Sequence, residues 1–428
     1  MPTTTDPQML AHAVAEHTTV LPSPIEEAAD TDLAALDTVI GDARVVAVGE
    51  ATHFVAEFGA TQRRLIRYLA QRHGFTVLAF EFGFAEAEPL DAWLHGHGDD
   101  DGLVLHRGPH AGFEATMNRW RWLREHNTTG EHPIRFVGLD TPVAGGTLRP
   151  VLEPLAAFLD SADPEAVELV RTAEEIAYRF EALSHAGSAP LWAELPAADR
   201  SLLTATLSRL SLRMNALRPL YLERTSTAEV DLARRHLDIA LAADYMVGAI
   251  HALFQETGRP MNTSVRDRMM ADSLLWHLER LGPEDRVVLL AHNFHIQQTV
   301  IGNEAHSEAF PLGFYLAEAL GDDYRTIALT HTAETAPDLH PADNPMGFDV
   351  RDTPVAEPPP TSVEGALTAA NLAGVTSVLP LGALRRDPRM APASIGAQSE
   401  QVPTDVVTAF DAVINLPTAT ATADLTLH

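Results

Sequence analysis

RVVAVGEATHFVAEFGATQRRLIRYLAQRHGFTVLAFEFG, residues 44–83, is the stretch whose reading decides the fold. It opens with an apolar, β-branched run at 44–48, and a second apolar run follows at 76–80. Between them, residues 55–73 place Phe58, Leu65, Ile66 and Leu69 at helical spacing, with Gly74 positioned as a C-terminal cap. Two strands joined by a helix run parallel. Because both runs are apolar at successive positions, each strand is expected to be covered on both faces.

The same kind of run recurs at 134–138, 286–290 and 324–329. The fold class is therefore α/β: a mostly parallel sheet flanked by helices. From 147 to about 280 no strand pattern occurs. Asp163 and Pro164 mark a helix start, as N-cap and first-turn proline, and residues 201–217 and 227–255 read as further helices. These stretches predict an inserted helical subdomain forming one wall of a cleft. The division is 1–146 for the first part of the α/β core, 147–263 for the helical subdomain and 264–428 for the second part of the core. Residues 345–360 are proline-rich and read as a linker or surface loop, whereas 362–372 and 412–416 regain pattern and should fold onto the sheet. No internal repeat is found.

The 428 residues are 46% hydrophobic, enough for a large core. Acidic side chains outnumber basic ones 59 to 30, giving a net charge of −29. Phosphate binding needs clustered positive charge, so neither nucleic acid nor an anionic membrane is an expected partner. A neutral or cationic small molecule suits this surface, although solubility alone also accounts for the acidity. The absence of cysteine excludes disulfides, thiolate catalysis and Cys-ligated zinc. All 30 basic residues are arginine, and without lysine a phosphate-loop lysine, a Schiff base and a pyridoxal-phosphate site are excluded too. Residues 1–17 lack the basic start and apolar segment of a secretion signal, and no later run of roughly 18 uncharged apolar residues suggests a membrane span. The expected location is cytoplasmic.

Ligands of open parallel sheets bind beyond the carboxyl ends of the strands. Glu50 and His53 follow the first run, Glu81 the second, Asp140 the third, and His292 and His295 the fourth. Singly, an acid there is most simply a helix N-cap, and one histidine among 20 is ordinarily a surface residue. Asp140, before Thr141 and Pro142, reads equally well as a cap. Together, acids and histidines at matching strand ends indicate a site. His53, held by Glu50 or Glu81, is suited to take a proton from water, and the other histidines or Arg266 to stabilise an oxyanion or protonate a leaving alcohol. No G-x-S-x-G serine elbow is present. Two histidines at i, i+3 beside carboxylates leave a divalent ion open, but H-E-x-x-H is missing; no metal and no cofactor are expected. Trp120, Trp122, Trp276 and Met261, Met269, Met270 suit either core packing or an adaptable apolar wall.

GEATHFVAEF, LIRYL, FEFG with DAWL after it, VGLDTP, TSVRDRMMA, LLAHNFHIQ and FDAVINL occur in order from about Val45 to Leu416. In this order the motifs resemble the erythromycin esterase family, above all its type II macrolide esterases. The resemblance implies an α/β core with a helical lobe and an open cleft. It also implies hydrolysis of a macrolide lactone by activated water, without a covalent acyl-enzyme, as an antibiotic-resistance activity. Carried over position by position, it makes His53 the general base, Glu50 and Glu81 essential acids, and His292 and His295 the H-N-x-H pair, with Arg266 near the site. Arg266, Asn293, Arg63, Asp140 and Met270 are the expected substrate-binding residues. One position departs: Gln62 stands where the type II enzymes carry a site arginine, with Arg63 next to it. A large apolar ring with an ammonium sugar would suit an apolar cleft in an acidic protein. The same centre would also serve a biosynthetic lyase, cyclase or esterase acting on a polyketide lactone, or the cleft could sequester macrolides without turnover.

Overall fold

The computed structural model describes residues 5–22, 25–98, 114–130, 132–303 and 306–422. Its centre is an eight-stranded sheet: β1 (Thr19–Val20), β2 (Val45–Val48), β3 (Phe75–Gly83), β4 (Arg135–Asp140), β5 (Arg286–Leu290), β6 (Tyr324–His331), β7 (Ser377–Pro380) and β8 (Ala412–Leu416). The spatial order is β1-β7-β8-β6-β2-β5-β3-β4. All pairings from β8 to β4 are parallel, and only the β8–β7 and β7–β1 pairings at one edge are antiparallel, so that β7 alone runs against the rest. The five strands expected from sequence are present, with β3, β4 and β6 longer than their apolar runs.

Side chains alternate between two cores. Val45, Ala47, Val77, Ala79, Val287, Leu289 and Val413 point to one face, where the helices between Arg149 and Leu278 pack. Val46, Val48, Leu78, Val288, Leu290 and Ile414 point to the other, beneath Phe58, Leu65, Ile66 and Leu69 of helix Ala56–His73. This period of two on an unbroken apolar run is what a doubly covered strand requires. Each buried branched side chain contributes about 1.5–3 kcal/mol, which outweighs local propensity. Gly74 ends that helix in the left-handed region, at φ 70°.

Helices Ala197–Ala216 and Thr227–Phe254 match the expected pattern within a few residues. By length and hydropathy alone the second could cross a bilayer, but half of its apolar window is buried inside the fold, the position of a core helix. Two expectations need correcting. Asp163 makes no side-chain cap; it accepts from Arg213 at 2.6 and 2.8 Å and from Tyr221 at 2.9 Å, so ion pairing between helices has claimed the carboxylate. Residues 345–360 are no plain linker, because Phe348–Pro354 pairs with Thr335–Pro341 as an antiparallel hairpin. Pro354 ends that strand, where a missing N–H costs least.

The hairpin tip is fastened to the helical wall. Leu183 N donates to Pro345 O at 3.0 Å and Ser184 Oγ to Met346 O at 2.5 Å. At the opposite side the chain's last described residues return to the loop after β2. Thr422 donates to Phe54 O from both N and Oγ1, at 2.9 and 2.8 Å, and Thr420 N donates to Glu57 Oε2 at 2.9 Å.

Candidate active site

The carboxyl ends of β2, β3, β4 and β5 deliver the ionisable residues to one place. Gly49 leads out of β2, and it has to be glycine: an added Cβ would lie 1.9 Å from Asn293 Oδ1. Asn293 is fully occupied by backbone. Its Nδ2 donates to Leu329 O at 2.8 Å, its Oδ1 accepts from Leu329 N at 3.3 Å, and its N donates to Glu50 O at 2.9 Å. It therefore clamps the loop and does not face ligand. Met270, 0% exposed, is packed in the core, and Asp140, also 0% exposed, lies beneath Arg266. Asn293, Met270 and Asp140, expected to touch substrate, are packed behind the site and line neither of the two cavities that hold the cluster.

A cavity of about 1610 Å³ lies between the sheet end, the helical wall and the hairpin. Drug-sized ligands usually occupy roughly 300–1,000 Å³, so this space admits a bulky molecule. Its walls include Phe54, Phe80, Phe82, Trp120, Leu191 and Phe348, with Glu50, His53, Gln62, Arg63, Glu81 and Arg266 at the base. A smaller chamber of about 300 Å³ continues below, sharing His53, Glu81, His185 and Arg266 and adding His292, His295 and Gln398.

His53 Nδ1 is 2.6 Å from Glu50 Oε1, and Gln62 Nε2 donates to the second oxygen of Glu50 at 3.3 Å and to Gly49 O at 3.2 Å. The carboxylate requires that Nδ1 carry the proton, leaving Nε2 as the ring's basic atom. Burial alone would lower the pKa of His53, but the bond to Glu50 and the negative charges of Glu50 and Glu81 raise it above the ordinary value. The next residue, Phe54, sits at φ 66°, a conformation uncommon outside glycine, and is held there by Thr422.

Glu81 lies where β3 bulges against β4, with Phe80 opposite Gly138 and Gly83 opposite Asp140. The bulge aims its carboxylate at the cluster. It accepts from Arg266 Nη2 at 2.9 Å and His292 N at 3.1 Å, with His295 Nε2 at 3.4 Å. Burial would raise its pKa; the charges of His295, Arg266 and His53 hold it well below the usual carboxylate range. Arg266 grips both oxygens of Asp140 as well.

The two histidines of the H-N-F-H run differ completely. Burial lowers the pKa of His295, but Asp267, 2.6 Å from its Nδ1, and Glu81 raise it to about 10, so it is a standing cation at neutrality. His292 is pushed down to about 3 by burial and by neighbouring His53 and His295. Its Nε2 donates to Ala51 O at 2.9 Å and its Nδ1 accepts from Phe294 N at 3.2 Å. With both nitrogens engaged, His292 is a loop anchor. Among the described residues, no group of three or more His, Asp or Glu side chains is arranged to hold a metal ion.

One buried imidazole that lines both cavities escaped the sequence reading. His185, on the helical wall, is held neutral by burial and by Arg266, at about 3, with Nε2 3.4 Å from Thr141 Oγ1. Its ring lies on Gly145, where an added Cβ would come within 1.7 Å. No strand precedes it, and so nothing in the local pattern distinguished it.

The chain is similar to proteins of one known family. The profile of the "Erythromycin esterase" family matches residues 70–419. Erythromycin esterase type II of Escherichia coli is 32% identical over 390 residues, covering 90% of this chain and 92% of that protein. Erythromycin esterase type I of Escherichia coli is 30% identical over 391 residues, covering 90% and 93%. Among solved structures, a mutant of erythromycin esterase EreC in its open conformation superposes with a TM-score of 0.88 at 26% identity, covering 96% of this chain and 100% of that one. A family profile over most of the chain, two long alignments and a shared fold lead to one statement: this chain belongs to the erythromycin esterase family, and with it to the carboxylic ester hydrolases.

Proposed function

We propose that the protein opens the lactone ester of macrolide antibiotics of the erythromycin type, in the cytoplasm, with His53 as general base toward water and no covalent intermediate. The observation that carries this reading is the Glu50–His53 pair at 2.6 Å on the wall of a cavity large enough for a macrolide. Family membership supports the substrate class.

In this reading His53 Nε2 removes a proton from water while the oxygen adds to the lactone carbonyl. The negative charge that develops on the carbonyl oxygen is offset by Arg266 and the His295 imidazolium, both fixed before substrate arrives. The imidazolium of His53 then returns its proton to the departing alkoxide, giving a hydroxy acid. Glu81 stays ionised and keeps Arg266 and His295 in register. Residues 147–263, taken as a helical lobe, and the hairpin provide the apolar walls, and Arg63 is a further polar contact expected for the substrate.

Mass spectrometry of erythromycin after incubation tests the reading. A product heavier by one water is expected, lost in His53→Ala and Glu81→Ala variants that stay folded and retained in the presence of a chelator. Intact-protein spectra of quenched turnover mixtures should show no acyl adduct. A product of unchanged or lower mass would point to a lyase or cyclase, and full recovery of drug to sequestration. Expression in a macrolide-sensitive host should confer resistance.

A further inference from the structure

Phe54 holds a conformation that its residue type does not favour. Its φ of 66° lies in the left-handed region, where a bulky ring is an outlier and glycine fits without strain. The chain nonetheless carries an aromatic side chain there, directly after His53. Strain of this kind persists when the surroundings over-determine it, and the last described segment does so. Phe54 O accepts from Thr422 N at 2.9 Å and from Thr422 Oγ1 at 2.8 Å, Ala56 N donates to Thr420 O at 2.9 Å, and Val55 bridges to Ala421. This clamp accounts for the backbone. It does not account for the ring, because a glycine at this position would offer the same carbonyl to Thr422.

The ring is half-buried and lines the larger cavity. Its centroid is 6.1 Å from that of His53, edge to face, and 6.4 Å from that of Phe348, the residue that opens the second strand of the hairpin. Phe80, Phe82 and Trp120, which line the same cavity, pack against one another with centroids 5.5–6.5 Å apart and so brace a separate wall. Phe54 instead joins the base to the hairpin, and its exposed part belongs to the cavity surface nearest His53 in sequence. We propose that Phe54 is a substrate-positioning residue: its ring, together with that of Phe348, forms an apolar face on which the carbon ring of the lactone lies, so that the ester carbonyl is presented beside His53. Such a face selects an ester flanked by an extended apolar surface over a small or charged one. The inference rests on the macrolide esterase reading and adds to it the group that orients the lactone.

The test compares Phe54→Gly and Phe54→Tyr in the full chain, each made also in a His53→Ala background so that erythromycin binding can be read by calorimetry without turnover. Glycine relieves the positive φ, so the variant should stay folded with a melting temperature close to the parent's. Its Kd and KM for erythromycin should rise about tenfold to a hundredfold, the worth of one lost aromatic contact face. Its kcat on the alkaline plateau should change by less than about threefold, and the acid limb should not move, because the Glu50–His53 contact is untouched. Phe54→Tyr keeps the ring and should bind within about threefold of the parent. A glycine variant that binds as the parent does, a loss confined to kcat, a shifted acid limb, or a tyrosine variant no better than glycine would each overturn the assignment. If His53→Ala binds erythromycin and the Phe54 variants bind it equally well, only this inference fails; if His53→Ala binds no erythromycin, the macrolide reading fails and this inference falls with it.

Discussion

Nδ1 of His53 and Oε1 of Glu50 stand 2.6 Å apart, and this contact fixes both the tautomer and the basicity of the imidazole. A carboxylate at Nδ1 makes the ring harder to deprotonate fully and leaves a stronger base at Nε2. The raised pKa means that the neutral, competent form accumulates only above the ordinary histidine range. The acid limb of the kcat/KM profile should accordingly fall above pH 6.5, the unperturbed value. In Glu50→Gln the anion is gone, so the limb should move to lower pH while the plateau drops about tenfold to a thousandfold. An unmoved limb would assign the titration to another group.

The His295–Asp267 pair predicts a stability signature. Because the folded-state pKa of His295 is raised to about 10, its contribution is complete below 6.5 and is lost as pH climbs through 10. Asp267→Asn should lower the melting temperature at pH 7 and lower it much less near pH 10.5. Equal losses at both pH values would show that Asp267 acts through Leu312 N, which it also accepts, and not through the cation.

Asp244, buried in helix Thr227–Phe254 with Thr204 Oγ1 at 2.6 Å, has the opposite effect on the neutral protein. Burial raises its pKa to about 6 and the Thr204 bond opposes this only in part. A carboxyl with a raised folded-state pKa stabilises below its unfolded value, and that stability is lost as pH rises through 6. Asp244→Asn should therefore raise the melting temperature at pH 8 and leave it nearly unchanged at pH 4. Melts in matched buffers decide it.

Gly145 sits at φ 78° under the His185 ring. Gly145→Ala adds both backbone strain and a collision at 1.7 Å, for a loss of about 1–3 kcal/mol in denaturant unfolding. Displacement of His185 into the chamber should also lower turnover at substrate saturation. Wild-type unfolding would show that the helical wall yields easily at this point.

Most of the sheet was legible because burial on both faces leaves a run of successive apolar residues, as in Val45–Val48, 287–290 and 412–414. The positions of Glu50, His53, Glu81, His292 and His295 followed from a rule about strand ends, which needs no tertiary contacts. Roles were harder to read. His292 and His295 are three residues apart, yet one ends near 3 and the other near 10, since burial, His53 and His295 lower the first, while at the second Asp267 and Glu81 outweigh burial. The hairpin over the cavity was hidden by prolines that terminate its second strand, and Asp163 by a cap signal that an arginine on another helix overrode. Gln62 holds Glu50 through a neutral amide and so leaves the full carboxylate charge acting on His53.

The loop bearing His53 is secured at Phe54 by Thr422, 368 positions further along the polypeptide. During synthesis on the ribosome, then, the upstream half of the centre emerges long before its fastening exists. A nascent chain stalled ahead of Thr420 would carry Glu50, His53 and Glu81 without the tether that sets their geometry, and the site would be completed only once that segment had emerged.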